Sequence, residues 1–350
     1  MRIAIVAPPW LPVPPNGYGG TEAVLDTLAR GLAEAGHDVL LYTTGDSTCP
    51  VPRAYAFAEA IGTVRTDTAT ELHHVVNAYD TIRAWQPDVV HDHTLTGPLY
   101  ALNLGLPVVT TNHGPFEVPL YDLYRAIAPR VPVIAISEHH AASAGDLPIA
   151  AVIHHGVDVE RFRFVRHPDD YVAFLGRMSP DKGVHRAIHI ARAAGVPLRI
   201  AAKLCEPAEW EYFKEKVEPL LGGDIEYVGE VAGSAKLEFL AHARCLLNPI
   251  AWAEPFGMVM IEALASGVPV VATARGSAPE LIDDGTTGYV RDSDEALVEA
   301  VQHVHEIDRA RCRKEALVRF SRERMVEDHL ELYERVAVGE PVSVKVALAT

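Results

Sequence analysis

Short apolar runs alternate with amphipathic segments along the first half of the chain. The amphipathic segment near residues 20–35 places Val24, Leu25, Leu28 and Leu32 at helical spacing and ends at Gly36, a typical helix-terminating residue. The apolar runs are hydrophobic on successive residues, which is typical of strands buried on both faces of a parallel sheet. They predict strands near residues 2–7, 38–43, 88–92, 107–111, 132–136 and 150–154.

The same pattern restarts after the segment 154–170, with predicted strands near 171–176, 197–202, 225–229, 244–248, 268–272 and 288–290. We therefore predict an α/β protein with two doubly wound, Rossmann-like domains, at 1–165 and 166–321. A helix near 322–337 is expected to cross the domain junction, and the tail up to residue 350 is expected to fray from Gly339. Ligands of open parallel sheets bind beyond the carboxyl ends of the strands. The loops after residues 7, 111, 176, 202 and 248 should thus surround one central cleft that both domains face.

Composition agrees with two ordinary domains in 350 residues. The chain is 49% hydrophobic with a mean hydropathy of +0.07, and no apolar run approaches the ~18 residues of a membrane span. The opening "MRIAIVAPPW" fits a first strand better than a signal peptide. We predict a cytoplasmic protein without an integral membrane segment. Neither a disulfide framework nor a zinc site is indicated, because the cysteines lie far apart, at Cys49, Cys205, Cys245 and Cys312.

The net charge of −16 is spread along the chain. Residues 1–166 carry −7 and contain no lysine, and the remainder carries −9. Binding to a nucleic acid backbone relies on clustered lysine and arginine. We therefore predict that nucleic acid is not a partner.

Two carboxylates, Glu254 and Glu262, lie in a stretch that passes from a predicted strand through a Pro-Gly loop into a short helix. A carboxylate binds vicinal hydroxyls well, and the N–H groups of a helix start favour hydroxyls or phosphates, so the arrangement suits a nucleotide sugar. Such spacing alone arises often by chance. The whole phrase "EPFGMVMIEALASGVPVVAT" resembles the signature of the family 4 retaining glycosyltransferases of GT-B fold, and the resemblance covers residues 2–337.

The resemblance implies roles for individual positions. Glu254 would approach the hydroxyls of the donor sugar, Glu262 would hold the ribose, and the base would lie against the loops after residues 202 and 228. The implied catalytic residues are His113, Glu254, Arg177 and Lys182. The implied donor-binding residues are Gly19, Gly20, Arg177, Lys182, Lys203, Val231, Glu254, Phe256, Gly257, Met258, Val259 and Glu262.

Arg177 and Lys182 flank a Pro-Asp turn in "FLGRMSPDKG". The planar fork of an arginine and the mobile charge of a lysine can converge on one anion. Two basic residues in a loop are more often a solvated surface. Their position after a predicted strand, together with their similarity to the family's phosphate-binding pair, favours a role at the departing diphosphate.

The first loop, "PPWLPVPPNGYGGTEAV", places glycines immediately before a predicted helix, where backbone N–H groups can approach a pyrophosphate. Glycines that only allow a tight turn remain an alternative. A dehydrogenase fingerprint fits poorly, because Glu22 stands where the third glycine belongs and no acid follows the second strand at the ribose position. In the resembled family, such a loop closes over the donor diphosphate and the acceptor.

His113 ends a predicted strand in "TTNHGP". A lone histidine is more often a packed or capping residue, but the resemblance implies contact with the transferred sugar. Four histidine pairs do not predict a metal site, because they lie on different elements without a shared ligand spacing: His73-His74, His91-His93, His139-His140 and His154-His155. Asp292-Ser293-Asp294 matches a metal-binding D-x-D pattern, but it opens a predicted helix, where acids commonly serve as caps.

The sequence thus favours a metal-independent glycosyltransferase with a nucleoside diphosphate sugar as co-substrate and no cofactor. No residue is an obvious nucleophile, so same-face attack by the acceptor hydroxyl is expected, with catalysis by orientation and leaving-group stabilisation. The resemblance implies that the domain at 1–165 binds the acceptor and that the domain at 166–321 binds the nucleotide sugar. Because the acceptor-binding half is acidic, a small soluble acceptor is expected. A GT-B-fold nucleotide-sugar epimerase and a catalytically silent relative remain alternatives. The oligomeric state is not predicted.

Overall fold

The computed structural model describes residues 1–63, 67–117 and 120–340, and the chain divides into two compact units. The first unit contains residues 1–15, 19–155 and the chain from Arg322 onward; the second contains residues 16–18 and 156–321. The chain passes into the second unit at Gly156, inside the segment after which the sequence pattern restarts. Residues 341–350, most of the tail for which fraying is predicted, lie outside the described residues.

Thirteen strands are present in the described residues, seven in the first unit and six in the second. The first set is β1 Arg2–Val6, β2 Asp38–Thr43, β3 Arg53–Tyr55, β4 Val89–Asp92, β5 Val108–Thr111, β6 Val133–Ala135 and β7 Ile149–Val152. The second set is β8 Val172–Arg177, β9 Leu198–Lys203, β10 Ile225–Gly229, β11 Cys245–Asn248, β12 Val270–Thr273 and β13 Gly288–Arg291. Each predicted strand is found, and β3 is an addition.

Each unit contains one parallel sheet. The strand order is β3-β2-β1-β4-β5-β6-β7 in the first and β10-β9-β8-β11-β12-β13 in the second. In both sheets the order reverses beside the first strand of the unit, which is the topology of a doubly wound α/β domain. The strands are apolar and largely buried because helices cover both faces of each sheet. The predicted pair of Rossmann-like domains is confirmed.

The described helices, in chain order, are α1 Gly20–Glu34, α2 Thr68–Trp85, α3 Gly97–Ala101, α4 Leu120–Ile127, α5 Glu138–Ser143, α6 Val184–Ala194, α7 Pro207–Tyr212, α8 Gly233–Ala241, α9 Met258–Ala265, α10 Ala278–Leu281, α11 Asp294–His303, α12 Arg309–Arg319 and α13 Arg322–Ala337. The predicted apolar face of α1 is buried, and Gly36 follows the helix with a φ of 90°. Ala35 occupies the cap position itself.

The Asp-Ser-Asp segment at residues 292–294 begins α11. The residue that caps this helix is Ser293, whose hydroxyl accepts a hydrogen bond of 3.2 Å from the N–H of Ala296. Asp294 instead pairs with Arg186. The expectation that the acids serve as caps is therefore wrong in detail: the shorter serine side chain reaches the free N–H group, and Asp294 lies inside the first turn.

The last helix, α13, packs on the first unit against α1, β4 and β5. Gly31 of α1 lets the two helices approach closely, since a Cβ atom there would lie 2.5 Å from Cγ2 of Val326. The hydroxyl of the buried Tyr333 is 2.6 Å from Nδ1 of His91 in β4. The chain thus returns from the second unit to complete the core of the first.

No helix within residues 1–63, 67–117 and 120–340 combines the length and the apolar character that a membrane crossing requires.

Candidate functional site

The polar residues of the second unit gather where its central strands end. Arg177 is the last residue of β8, Lys203 the last of β9 and Asn248 the last of β11. Because the strands are parallel and adjacent, these ends meet at one edge of the sheet. That edge is where a doubly wound domain binds its ligand.

The loop after β8 brings Lys182 next to Glu254. A single 3-10 turn spans Pro180–Lys182, and Gly183 follows with a φ of 75°. A Cβ atom on Gly183 would lie 2.3 Å from the carbonyl oxygen of Pro249, so this turn is pressed against the chain that leaves β11. Lys182 forms an ion pair with Glu254, and both side chains are largely buried. Two predicted catalytic residues are therefore in direct contact.

Glu254 is held through its backbone as well as its side chain. Its carbonyl oxygen accepts a hydrogen bond of 3.0 Å from the N–H of Ser277, and Gly276 packs against its backbone. The indole N–H of Trp252 donates a hydrogen bond of 3.2 Å to Oε2 of Glu254. Lys182 contacts that same oxygen, so Oε1 has no hydrogen-bond partner among the described residues. One carboxylate oxygen is fixed and the other is available to a ligand.

Arg177 lies on the other side of the same turn. Its Nη2 is 3.4 Å from Oδ2 of Asp181, and its side chain is 37% exposed. An exposed pair at this distance is weak. The guanidinium is thus free to exchange Asp181 for a stronger anionic partner.

Helix α9 starts at the same edge of the sheet. Gly257 caps it with a φ of 87°, a left-handed conformation that favours glycine, and Met258 and Val259 form its first turn. The buried Phe256 precedes it and accepts a hydrogen bond at its carbonyl oxygen from the hydroxyl of Ser277. The first N–H groups of the helix receive no side-chain cap, which suits them to an anion or a hydroxyl.

Glu262 lies in the second turn of α9 and is only 6% exposed. Its Oε1 is 2.7 Å from Nζ of Lys236, which belongs to α8. The lysine compensates the charge of a carboxylate that burial would otherwise destabilise. Sequence reasoning missed Lys236, because "GSAKLEFLA" contains no motif and the contact joins residues that are 26 positions apart.

Lys203 has local partners. Its Nζ is 2.6 Å from Glu206 and 3.5 Å from Glu209. These two acids and Cys205 form the one group of three or more metal-ligating side chains in the described part of the chain. Glu209 also accepts hydrogen bonds from the N–H groups of Cys205 and Glu206, so its carboxylate helps to begin α7. Glu206 and Glu209 are therefore already paired with Lys203, and Glu209 also binds the N–H groups that precede α7.

Two short segments flank this edge in the second unit. Val231 is half-buried and follows β10, next to the exposed Glu230. Oε1 of Glu230 accepts a hydrogen bond of 2.7 Å from the N–H of Tyr18, one of the three loop residues that group with this unit.

Gly19, which precedes α1, and Gly20, the first residue of that helix, belong to the first unit. Gly19 has an extended φ of 174° and Gly20 is helical, so neither has the left-handed φ that favours glycine. Close packing does restrict Gly19, since a Cβ atom there would lie 2.7 Å from Cβ of Pro15. In the first turn of α1, Glu22 is 5% exposed, and burial raises its pKa to about 7.

His113 follows β5 in the first unit and joins a cluster of rings. Its Nε2 is 2.9 Å from Nδ1 of His93, and its ring stacks on that of His155 at 5.3 Å. The ring of His91 lies 3.8 Å from that of His93. The histidine pairs near residues 91 and 154 thus converge on His113, which their separation in sequence did not predict.

Burial lowers the pKa of His113 to about 3, and the nearby His140 and His329 contribute to the decrease. The imidazole is therefore neutral at pH 7. Because Nε2 of His113 is in hydrogen-bond contact with His93, Nδ1 of the neutral ring can form another hydrogen bond.

Two family models match consecutive parts of the chain. Residues 18–161 match Glycosyltransferase Family 4, and residues 158–319 match Glycosyl transferases group 1. The first range contains Gly19, Gly20 and His113, and the second contains Arg177, Lys182, Glu254 and Glu262.

The chain is similar over most of its length to known glycosyltransferases. The glycogen synthase of Mycobacterium tuberculosis is 28% identical over 344 residues, which cover 82% of this chain and 81% of the relative. The alpha-maltose-1-phosphate synthase of Mycolicibacterium smegmatis is 28% identical over 397 residues, covering 96% and 100%. The crystal structure of AviGT4, a glycosyltransferase involved in avilamycin A biosynthesis, has a TM-score of 0.75 at 26% identity and covers 97% of this chain and 98% of that one.

Proposed function

Because the chain belongs to the family 4 glycosyltransferases of GT-B fold, we propose that it transfers a hexosyl group from a nucleoside diphosphate sugar to an acceptor hydroxyl. The observation that supports this best is the contact of Lys182 with Glu254, beside Arg177, at the strand ends of the second unit. Two cations suit a diphosphate, and a carboxylate oxygen without a partner suits sugar hydroxyls.

The donor would be held at both ends by residues of this unit. Glu262, kept in place by Lys236, accepts hydrogen bonds from the ribose hydroxyls. The N–H groups at the start of α9, after Gly257, face the phosphates or the sugar. Lys203 and Val231 contribute to the surface against which the base lies. The names of the synthases to which the chain is similar favour a hexose as the transferred sugar.

The reaction proceeds with retention at the anomeric carbon. The bond from that carbon to the diphosphate oxygen breaks while the acceptor oxygen attacks from the same face. The acceptor proton passes to the departing phosphate. Arg177 and Lys182 stabilise the charge that develops on the leaving group, so the reaction does not depend on a metal ion. Glu254 orients the sugar through hydrogen bonds.

The acceptor is a small soluble molecule or glycan in the cytoplasm. The charge of −7 on residues 1–166, without a lysine, supports this proposal because anionic lipid headgroups attract basic surfaces. Sedimentation with anionic vesicles tests it: we expect the protein to stay in the supernatant at physiological salt. Activity that requires a lipid acceptor would contradict the proposal.

A panel of UDP-, GDP- and ADP-hexoses tests the function and identifies the nucleotide. We expect diphosphate release with one of them, acceleration by a carbohydrate acceptor, and a product whose anomeric configuration by NMR equals that of the donor. Isomerisation of the donor alone would instead indicate an epimerase. Donor binding without turnover across an acceptor panel would indicate a catalytically silent protein. An inverted product would contradict the same-face mechanism.

A further inference from the structure

The second unit contains a cavity at the end of its sheet opposite to the proposed donor site. It lies beside the amino ends of β8, β11 and β12 and has a volume of about 340 Å³, within the range of ligand pockets. Arg244 and Pro269, which line it, come directly before β11 and β12. The six residues of β8 separate it from Arg177 by about 16 Å. The cavity is therefore distinct from the donor site.

Arg309 is one of the residues that line this cavity and brings a positive charge to it. Its guanidinium donates hydrogen bonds of 2.7–2.8 Å to the carbonyl oxygens of Val165, Ala241 and Ala243. It forms no ion pair with any residue in the described ranges, and burial lowers its pKa. A guanidinium fixed by neutral carbonyls keeps an uncompensated charge in a place of low dielectric, where an anion would bind strongly.

Two further arginines line the cavity. Arg166 is exposed and has no ion-pair partner within the described part of the chain. Arg244 pairs through Nη1 with Asp170, whose side chain is 81% exposed, so this pair is weak. The one acid of the lining, Asp308, accepts a hydrogen bond of 2.9 Å from the N–H of Ala310 at the start of α12. Positive charge therefore prevails around the cavity.

The remaining wall is largely apolar. Phe164, Pro269 and Ile307 contribute to it, and Phe164 is fixed by close packing against Gly267, whose φ is 72°. An apolar wall that includes an aromatic ring, beside guanidinium groups, fits a molecule that has an anionic end and a flat apolar body. We propose that this cavity binds a phosphomonoester on a small body with a flat apolar face, as a second ligand site separate from the donor site.

The three arginines have a purely structural explanation as well. Arg309 donates hydrogen bonds to the carbonyl oxygens of Val165, Ala241 and Ala243, and its replacement would remove these hydrogen bonds. A decisive experiment therefore leaves Arg309 unchanged. Arg166 and Arg244 can be replaced together, since the first is exposed and the second has an exposed partner.

Calorimetric titration with phenyl phosphate and with inorganic phosphate tests the proposal on the full chain. Phenyl phosphate presents both the anion and the flat apolar face, so we expect it to bind roughly tenfold more tightly than inorganic phosphate. The double variant Arg166→Ala/Arg244→Ala should weaken phenyl phosphate at least tenfold. Arg163→Ala, which removes an exposed arginine paired with Glu238, serves as the matched control and should bind as the wild type does.

A second double variant, Arg177→Ala/Lys182→Ala, distinguishes this cavity from the donor site. It should bind phenyl phosphate as tightly as the wild type. The proposal is wrong if binding is lost in that variant and retained in Arg166→Ala/Arg244→Ala, or if the wild type does not bind phenyl phosphate at ~10 mM. Equal affinity for the two probes would overturn the role of the apolar wall.

Discussion

The indole N–H of Trp252 and the ammonium group of Lys182 contact the same oxygen of Glu254, Oε2. The ammonium group also lies 5.2 Å from the centre of the Trp252 ring, within the range of a cation–π interaction. Together they fix the rotamer of Glu254 and leave Oε1 free of partners among the described residues. Trp252 is therefore a positioning residue for Glu254 in the proposed reaction.

We expect Trp252→Phe to lower kcat about tenfold with a smaller change in the donor KM. The phenyl ring keeps its contact with Lys182, and only the N–H donor to a charged oxygen is lost. Steady-state kinetics with the donor identified by the panel measures both constants. Trp210→Phe is the control, since that indole lies exposed on α7. A normal kcat in Trp252→Phe would show that Lys182 alone positions the carboxylate.

The pair of Lys236 and Glu262 predicts a non-additive effect on donor affinity. Glu262→Gln should weaken donor binding roughly ten- to a hundredfold, because the buried side chain loses its negative charge and one of its two acceptor oxygens. Lys236→Met should have a smaller effect, and the double variant should equal Glu262→Gln, since the lysine acts through the carboxylate. Calorimetric titrations with the donor measure its affinity for the wild type, the two single variants and the double variant. Lys214→Met, which changes an exposed lysine, is the control. Additive losses would mean that Lys236 contacts the donor itself.

Leaving-group stabilisation by side chains predicts resistance to chelators. We expect activity in EDTA to equal that in buffer, and Arg177→Ala and Lys182→Ala each to lower kcat roughly a hundredfold. Arg199→Ala, which removes a half-exposed arginine paired with Glu226, is the control. Loss of activity in EDTA with recovery on adding magnesium or manganese would contradict the proposed mechanism.

The buried Glu22 predicts that stability falls as the pH rises. Burial raises its pKa from 4.5 to about 7, so folding favours the protonated carboxyl. This contribution is fully present below pH 4.5 and is lost as the pH rises through about 7, at a cost of about 3 kcal/mol. Glu22→Gln should match the wild type near pH 4.5 and exceed its free energy of unfolding at pH 8. Urea unfolding measures this, with Glu34→Gln as the control on the same helix. A difference that does not change with pH would contradict the assignment.

The strands were predictable because buried parallel strands are apolar on successive residues. Strand β3 escaped prediction because Arg53–Tyr55 is short and lies at the exposed edge of its sheet, where no continuous apolar run is required. Helix α13 was predicted with its observed bounds, since its apolar stripe is regular.

The motif-bearing residues of the site were predictable, but their partners were not. Lys182 and Glu254 belong to recognisable sequence motifs. Lys236 reaches Glu262 only because α8 folds beside α9, and Trp252 reaches Glu254 only through the fold of the loop after β11. The cluster of His93, His113 and His155 likewise depends on tertiary packing. Local sequence fixes the elements, and long-range packing decides which polar groups meet.

The packing of α13 on the first unit sets an order for folding during translation. Tyr333, the hydrogen-bond partner of His91, is made 242 residues after it. At ~5–20 residues per second, the ribosome needs roughly 10–50 s for that stretch. Residues 156–321 of the second unit emerge as one contiguous segment within this time. The part of the first unit that α13 covers is thus buried only after the whole second unit has been synthesised.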